Sequence, residues 1–416
     1  MFQRYRQRLR VGLNVLLASA LLTLLSPATA NAEEATPTQL ELRRNDRIDF
    51  LGGTFFERAQ SSGYIEAELT ARHPSLDLTF RNLGWSADTV FGSSRPPGRT
   101  GAVFGSEEQG FQNLLRQVRD AKPTVVLVAY GFNESFAGAD GLERFRKGLD
   151  RLLDELKKTT PRLGLLTPHR VPGPAHVSFP RAKRSEASRL FAEAIRSIAK
   201  ARRLPLADLY EKASDAKSSF DTSGIHLTPA GYERIATTLA DGLLGVASRV
   251  ELSIEVSPQK TKIEGQGAQI EKIRRTDDGI AFWITATHLP ASKRLVKIDG
   301  LVSGSYALRS DGGEVAVSNQ PSWSRGVLVG KGPDFAQRKA LRAAIVRKNR
   351  LYFHRWRPRN VAFLTGERNR EQMPSHGDVP KFTPLVEKAE KEIHALAKPK
   401  RRAYTLSLLP KKGGGR

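Results

Sequence analysis

The feature that most constrains the fold is an apolar run that ends in a glycine and an asparagine. The segment Thr124-Val-Val-Leu-Val-Ala-Tyr130 follows Pro123, stops at Gly131 and is followed by Asn133. An unbroken run of β-branched and aliphatic residues is typical of a strand buried on both faces of a parallel sheet. Ligands of open α/β sheets bind just beyond the carboxyl ends of the strands. The sequence therefore predicts Gly131 and Asn133 at a ligand-binding edge.

Strand-like and helical patterns alternate over residues 40–248. The predicted strands are 47–51, 76–83, 124–130, 162–167 and 204–209, and the predicted helices are 56–73, 107–121, 141–158, 181–202 and 229–244. This alternation, with right-handed crossovers, predicts an α/β domain with a parallel five-stranded sheet. We expect a flavodoxin-like three-layer α/β/α fold with the strand order 2-1-3-4-5.

The pattern changes near Arg249. Residues 249–332 contain short strand-like runs with turn signals such as Asp277-Asp278-Gly279, which predicts a small antiparallel β module. Residues 333–397 return to helical spacing, and the basic residues 398–416 are predicted to form a flexible tail.

An aromatic and arginine-rich segment, residues 349–360, closes the first C-terminal helix. One interpretation is a lid that folds over the ligand-binding edge. The other is a wedge between domains, with Tyr352, Phe353 and Trp356 in the core. Pro358 ends the helix in either case.

The first 32 residues have the pattern of a secretory signal peptide. Four arginines between Arg4 and Arg10 precede an apolar stretch of about 15 residues and the small-residue site Ala30-Asn31-Ala32. We expect cleavage near Ala32, export to the periplasm or the medium, and no transmembrane domain afterwards. The alternative is an uncleaved anchor, for which this stretch is short.

Composition excludes several kinds of site. The chain has no cysteine, which excludes disulfides, thiolate metal sites and a cysteine nucleophile. No group of His, Asp and Glu has the spacing of metal ligands, so we predict neither a metal nor another cofactor.

The net charge of +24 is concentrated late in the chain, since residues 251–416 hold 32 Lys and Arg against 16 Asp and Glu. This favours either an anionic envelope polymer as partner or a solvated basic surface. Predicted export argues against nucleic acid.

Four predicted strand ends carry small or polar residues. They are Gly52-Gly53-Thr54, Gly84, Gly131-Phe132-Asn133 and the late loop 221–232 with His226. In a doubly wound sheet these ends meet at one edge, where they supply a hydroxyl, a backbone donor, an amide and an imidazole. Those groups are the parts of an acyl-transfer site: nucleophile, oxyanion hole and general base.

In these segments the chain resembles the SGNH (GDSL-like) hydrolases, a family of esterases, lipases and carbohydrate deacetylases, over about residues 45–245. Its blocks Gly-Asp-Ser, Gly, Gly-x-Asn-Asp and Asp-x-x-His-Leu-x-Pro-x-Gly are matched by 52–54, 84, 131–134 and 223–231. The resemblance implies an exported hydrolase that cleaves a small-molecule or glycan ester, such as an O-acetyl group. It implies Thr54 as nucleophile, His226 as base, Gly84 and Asn133 as oxyanion donors, and Gly131 with Glu134 as rim residues.

Two departures from the family pattern affect the mechanism. Thr54 replaces the nucleophilic serine, and its extra methyl group restricts the side chain. Ser223 replaces the triad aspartate, and Asp221, two residues upstream, reaches the imidazole only if the loop is bulged. These changes keep a second hypothesis open, a binding module for a glycan or an anionic ligand, and a third, a scaffold docked on the envelope.

The second block contains two further polar residues. Ser86 is the alternative nucleophile, and Asp88 is interpreted as a turn or cap residue.

Overall fold

The computed structural model describes residues 38–95, 106–171, 181–212, 217–247, 251–257, 261–291, 293–357 and 379–410. The predicted signal peptide 1–32, with its cleavage site at Ala32, lies outside these residues, as do residues 358–360 and 411–416. No helix within the described ranges is long and apolar enough to cross a bilayer.

Five parallel strands form the first sheet. They are β1 (Arg47–Gly52), β2 (Thr79–Asn82), β3 (Val125–Ala129), β4 (Leu163–Leu166) and β5 (Leu206–Ala207). Their order is β2-β1-β3-β4-β5, which confirms the predicted flavodoxin-like sheet. The strand β3 lies between β1 and β4, with Phe50 opposite Leu127 and Val128 opposite Leu165. Its first four residues are buried, as the unbroken apolar run predicts.

Helices cover both faces of this sheet. They are α1 (Thr54–Ser62), α2 (Tyr64–Arg72), α3 (Glu107–Ala121), α4 (Leu142–Lys157), α5 (Arg181–Arg202), α6 (Leu209–Lys212) and α7 (Pro229–Leu244). Phe111 of α3 and Leu149 of α4 belong to the core on one face, whereas Phe56 of α1 and Leu239 of α7 belong to the core on the other. The single helix predicted at 56–73 is two helices, because Gly63 adopts φ +67° between them.

Two further sheets follow. Eight of their strands follow one another in the chain, with one short helix among them. They are β6 (Glu251–Val256), β7 (Thr261–Gln266), β8 (Ala268–Thr276), β9 (Gly279–Ala286), β10 (Arg294–Asp299), β11 (Ser305–Ser310), β12 (Gly313–Asn319), the helix α8 (Gln320–Arg325) and β13 (Val327–Val329). One sheet has the order β13-β10-β6-β7. The predicted antiparallel arrangement holds except for β6 and β10, which pair in parallel with Leu252 opposite Val296. Trp323 and Phe282 are buried in the common core of the two sheets.

The prediction of a flexible tail at 398–416 is wrong for its central part. Arg402–Leu408 forms a strand, β14, in the middle of the second β sheet, whose order is β12-β11-β14-β9-β8. Tyr404 lies opposite Phe282, and Leu406 opposite Leu308. Tyr404 and Leu406 are buried while their neighbours are partly exposed, which is the period-2 pattern of a strand. The basic residues before and after this short run concealed the pattern.

Two C-terminal helices, α9 (Pro333–Trp356) and α10 (Phe382–Ala397), pack against the parallel-sheet domain. Buried ion pairs fix them there: Lys348 Nζ lies 2.7 Å from Glu66 Oε1, and Arg81 pairs with Glu390. The described residues from Thr38 onward accordingly form one compact unit. Tyr352 is buried in the core of the first domain, as the wedge interpretation of this segment requires, whereas Phe353 and Trp356 are only partly buried.

Candidate active site

Thr54 and His226 line the same cavity at the carboxyl edge of the parallel sheet. The cavity has a volume of about 30 Å³. Thr54 is the first residue of α1 and is separated from β1 by Gly53 alone, and His226 lies in the loop before α7. The rings of Phe55, Phe132 and Tyr232 form much of its wall. The fold therefore brings together two residues that are far apart in the sequence and leaves a small apolar space beside them.

The hydroxyl of Thr54 faces the turn formed by residues 85–88, hereafter the 85–88 turn. Thr54 Oγ1 accepts a hydrogen bond of 3.1 Å from the backbone N–H of Ala87. Thr54 does not cap its own helix, since Gly53 holds the N-cap position and no side-chain cap bond is present. Thr54 and His226, both within the described residues, form no hydrogen bond with each other.

The 85–88 turn supplies a backbone donor that sequence reasoning missed. Ala87 has φ +57°, a left-handed conformation that is uncommon for a residue with a side chain. This conformation aims its N–H at Thr54 Oγ1. An acyl oxygen developing negative charge beside Thr54 would meet this donor. Nothing in the residue type of Ala87 indicates this role.

Gly84, the predicted oxyanion donor, bonds inside the protein and packs closely against α1. Its N–H donates to Asn82 Oδ1 at 2.9 Å, inside the protein. A Cβ atom at Gly84 would lie 2.3 Å from the backbone nitrogen of Glu57, so only glycine lets the chain pass this close to α1. We therefore correct the assignment of Gly84: it provides space for α1, and Ala87 is the donor that faces Thr54.

The amide of Asn133 lies beside the start of α1. Its Nδ2 donates to the carbonyl oxygen of Asp88 at 2.7 Å. A Cβ atom at Gly53 would lie 2.8 Å from the same nitrogen, so a glycine before Thr54 leaves room for the amide. A carboxamide nitrogen has two hydrogens. The bond to Asp88 uses one of them, and the other remains for an oxyanion.

Buried charges hold the 85–88 turn from the inside. Asp88, expected to be a turn or cap residue, is fully buried and pairs with the fully buried Arg95, Oδ2 to Nε, at 2.8 Å. Tyr130 donates its hydroxyl to the same oxygen at 2.8 Å, and Arg95 Nη2 donates to the carbonyl of Leu83 at 2.9 Å. Burial raises the pKa of the Tyr130 hydroxyl well above its ordinary value. Tyr130 therefore acts as a neutral donor to the Asp88 carboxylate.

His226 has the protonation state that a general base needs. Partial burial lowers its pKa below the ordinary value, the Arg58 guanidinium lowers it further, and the Asp221 carboxylate opposes both effects. The imidazole is therefore neutral at pH 7 and has a lone pair that can accept a proton. Arg58, another residue that the sequence did not single out, lines the cavity beside it.

Asp221 lies near His226 without bonding to its ring. Asp221 Oδ1 accepts hydrogen bonds from the N–H of Ser223, at 3.0 Å, and from its hydroxyl. Asp221 Oδ2 lies 3.9 Å from Arg58 Nη1. Burial by itself would raise the pKa of Asp221, but the hydrogen bonds from Ser223 and the nearby His226 outweigh burial and lower this pKa below its ordinary value. Among the described residues no carboxylate is hydrogen-bonded to the imidazole, so this loop lacks the usual orienting group.

The predicted rim residues, Gly131 and Glu134, do not line the cavity. The Glu134 carboxylate accepts hydrogen bonds from the N–H of Val90, at 2.9 Å, and from that of Gly131, at 2.8 Å. Burial raises the pKa of Glu134 to about 7, although these bonds favour the charged form. Glu134 therefore links two loops, and Gly131 is one of its partners. Ser86, the alternative nucleophile, donates its hydroxyl to Glu57.

His169 is the second imidazole of the cavity and was also missed. It follows β4, and its Nδ1 lies 2.8 Å from the carbonyl oxygen of Arg170. Its ring packs 5.2 Å from Phe132 and 5.5 Å from Phe220. Its position just after a strand end is the signal that sequence reasoning had available. The described residues contain no group of three or more His, Cys, Asp or Glu side chains that could hold a metal ion.

Three solved structures are similar to this chain over at least half of its length. A gut microbial diltiazem-metabolizing enzyme is 16% identical with a TM-score of 0.68, over 89% of this chain and 99% of that chain. An acetylxylan esterase from Geobacillus stearothermophilus, solved as a catalytic mutant, is 17% identical with a TM-score of 0.37, over 50% and 100%. An alpha/beta hydrolase enzyme from the metagenome of Lake Arreo, Spain, is 18% identical with a TM-score of 0.37, over 50% and 99%. The first likeness shows that the fold of most of the chain recurs.

The sequence comparisons concern the parallel-sheet domain. No curated protein sequence matches this chain. Residues 52–234 match the GDSL-like Lipase/Acylhydrolase family, a range that begins just before Thr54 and ends just after His226. The parallel-sheet part of this chain is therefore a domain of the GDSL-like lipase/acylhydrolase family.

Proposed function

We propose that the protein is an exported esterase that hydrolyses short acyl esters, such as an O-acetyl group on a glycan, through an acyl-enzyme on Thr54. The observation that carries this proposal is that Thr54 and the neutral His226 line one small cavity. The Ala87 N–H, directed at Thr54 Oγ1, supports it.

The proposed reaction has two steps, acylation of Thr54 and hydrolysis of the acyl-enzyme. His226 removes the proton of the Thr54 hydroxyl while the oxygen attacks the acyl carbon, and the carbonyl oxygen becomes an oxyanion beside Ala87 N–H and the Asn133 amide. The tetrahedral intermediate then expels the alcohol, which takes the proton from His226. In the second step His226 removes a proton from water, the resulting hydroxide attacks the Thr54 ester, and the proton returns to Thr54 as the acid leaves.

The cavity limits the size of the acyl group. A volume of about 30 Å³ holds roughly two water-sized groups, since each needs about 10–15 Å³. An acetyl group fits, whereas each further methylene would crowd the rings that line the cavity, among them Phe55, Phe132 and Tyr232. We expect kcat/KM for p-nitrophenyl acetate to exceed that for p-nitrophenyl butyrate at least about tenfold, because one methylene is worth about 10–200-fold in a tight pocket.

The decisive experiment compares Thr54→Ala, Thr54→Ser, His226→Ala and wild type on p-nitrophenyl acetate. Each alanine change should lower kcat at least about 10²-fold, because it removes the nucleophile or the base. Thr54→Ser keeps the hydroxyl and should retain activity. Ser61→Ala, which removes an exposed hydroxyl from the same helix, is the matched control. Turnover that survives both alanine changes would exclude this mechanism.

Export and an envelope substrate belong to the same proposal. The basic and apolar regions before Ala32 support export, and the basic residues of 251–416 support an anionic envelope polymer as a partner. N-terminal sequencing of the protein recovered from the periplasm or the medium tests the first point. Retention of the full N-terminus would contradict it. Salt-dependent co-sedimentation with purified cell wall tests the second point, and salt-independent or absent binding would contradict it.

One observation favours a second function, a glycan-binding module without turnover. Ser223 holds the Asp221 carboxylate, and the imidazole of His226 lacks a carboxylate partner among the described residues. Loss of the orienting group costs about 10⁴ in rate in serine proteases. A wild-type protein that does not hydrolyse p-nitrophenyl acetate, together with a Thr54→Ser variant that does, would support the binding module over the esterase.

A further inference from the structure

Arg357, just beyond the end of α9, touches both the helix of Thr54 and the 85–88 turn. Its guanidinium carbon lies 3.6 Å from the centre of the Trp85 ring, and its Nη1 pairs with the Glu57 carboxylate. The Arg357 and Glu57 side chains are only 20% and 17% exposed. A cation over an aromatic face and a charge-assisted hydrogen bond both gain strength when water is largely excluded.

Glu57 links this contact to the reacting groups. It lies three residues after Thr54 on α1, so the two residues are neighbours along the helix. Its other carboxylate oxygen accepts the Ser86 hydroxyl, directly before Ala87. One carboxylate thus joins the nucleophile helix, the 85–88 turn and Arg357.

The turn is held from two sides. On the inner side, Asp88 pairs with the buried Arg95. On the other side, Trp85 meets Arg357 and also packs edge-on against Trp356 at 5.8 Å. The turn needs such support, because Ala87 adopts a left-handed backbone that a residue with a side chain seldom takes.

We propose that Arg357 is a positioning residue, which fixes the Ala87 N–H against Thr54 Oγ1 and so makes catalysis depend on the docking of α9. This inference rests on the proposed esterase function. Arg357 does not touch the substrate cavity, so its effect falls on the placement of the donor. A displacement of about 1 Å of such a group costs about 10²-fold in rate.

The kinetic test uses Arg357→Met and Arg357→Lys, with Arg347→Met as the matched control. Arg347 lies within α9, ten residues before Arg357, in an exposed pair with Glu392. Arg357→Met should lower kcat for p-nitrophenyl acetate at least about tenfold with KM changed less than about twofold. Arg357→Lys keeps the charge and loses the planar stack, so its kcat should be intermediate. A kcat of Arg357→Met within twofold of the control overturns the proposal.

A second measurement reports the turn itself. Hydrogen–deuterium exchange of the 85–88 amides should accelerate in Arg357→Met and stay unchanged in Arg347→Met. Unchanged exchange in Arg357→Met overturns the positioning role whatever the activity. A wild type without ester hydrolysis would instead remove the proposed function, and the exchange result alone would then decide whether Arg357 holds the turn.

Discussion

Arg95→Met should destabilise the protein more than any exposed charge removal. The Arg95 and Asp88 side chains are both 0% exposed, with Arg95 Nε 2.8 Å from Asp88 Oδ2. The substitution leaves Asp88 buried beside Tyr130 without a counter-charge and leaves the carbonyl of Leu83 without its donor. Removing one partner of a buried pair costs about 3–5 kcal/mol, because the remaining charge stays desolvated.

The matched comparison is again Arg347→Met, whose pair with Glu392 is 55% and 50% exposed. Exposed pairs contribute about 0–1 kcal/mol. Urea unfolding followed by tryptophan fluorescence measures both variants, and the difference between them should be at least about 2 kcal/mol. A free energy of unfolding for Arg95→Met within about 1 kcal/mol of that of Arg347→Met would refute the reasoning that this buried pair holds the turn.

Three further predictions concern pH and the core. The acid limb of the pH profile of kcat/KM reports His226 and should lie below pH 6.5, the ordinary pKa; Arg58→Met removes a cation that lowers this pKa, so the limb should move to higher pH. Burial raises the pKa of Glu134 from 4.5 to about 7, so its contribution to stability is complete below pH 4.5 and is lost as the pH rises through 7; urea unfolding of Glu134→Gln at several pH values should lack that loss. Leu406→Ala should cost about 2–5 kcal/mol by urea unfolding, because Leu406 is fully buried in β14.

The parallel sheet was predictable because its pattern is local and its topology is restricted. The apolar run of β3 is buried on both faces, and right-handed crossovers leave few orders for five alternating strands. The strand β14 was not predictable in the same way. Its apolar residues Tyr404 and Leu406 are separated by polar ones and flanked by basic residues, and only pairing with β9 and β11 decides their conformation.

The candidate site was predictable where a residue type carries the chemistry. The hydroxyl of Thr54 and the imidazole of His226 are recognisable in any sequence, and they line one cavity here. The donor at Ala87 was not recognisable, because a backbone N–H belongs to every residue except proline and its direction depends on a φ of +57°. Gly84 was assigned as a donor because it matches the glycine of the second family block, whereas here its close contact with α1 explains the glycine.

The conformation of the 85–88 turn depends on residues that lie far from it in the chain. Arg357 reaches Trp85 from the end of α9, and α9 is fixed to the first domain by Lys348, whose ammonium pairs with Glu66 in the interior. The start of α9 is tied in turn to β14, because Arg402 Nε donates to Asp334 at 3.0 Å. Charged contacts at three separate places along α9 therefore join this helix to β14, to α2 and to the residues beside Thr54. Because each of these contacts is wholly or partly buried, a substitution that disrupts β14 should change the conformation of the 85–88 turn as well as the β sheets.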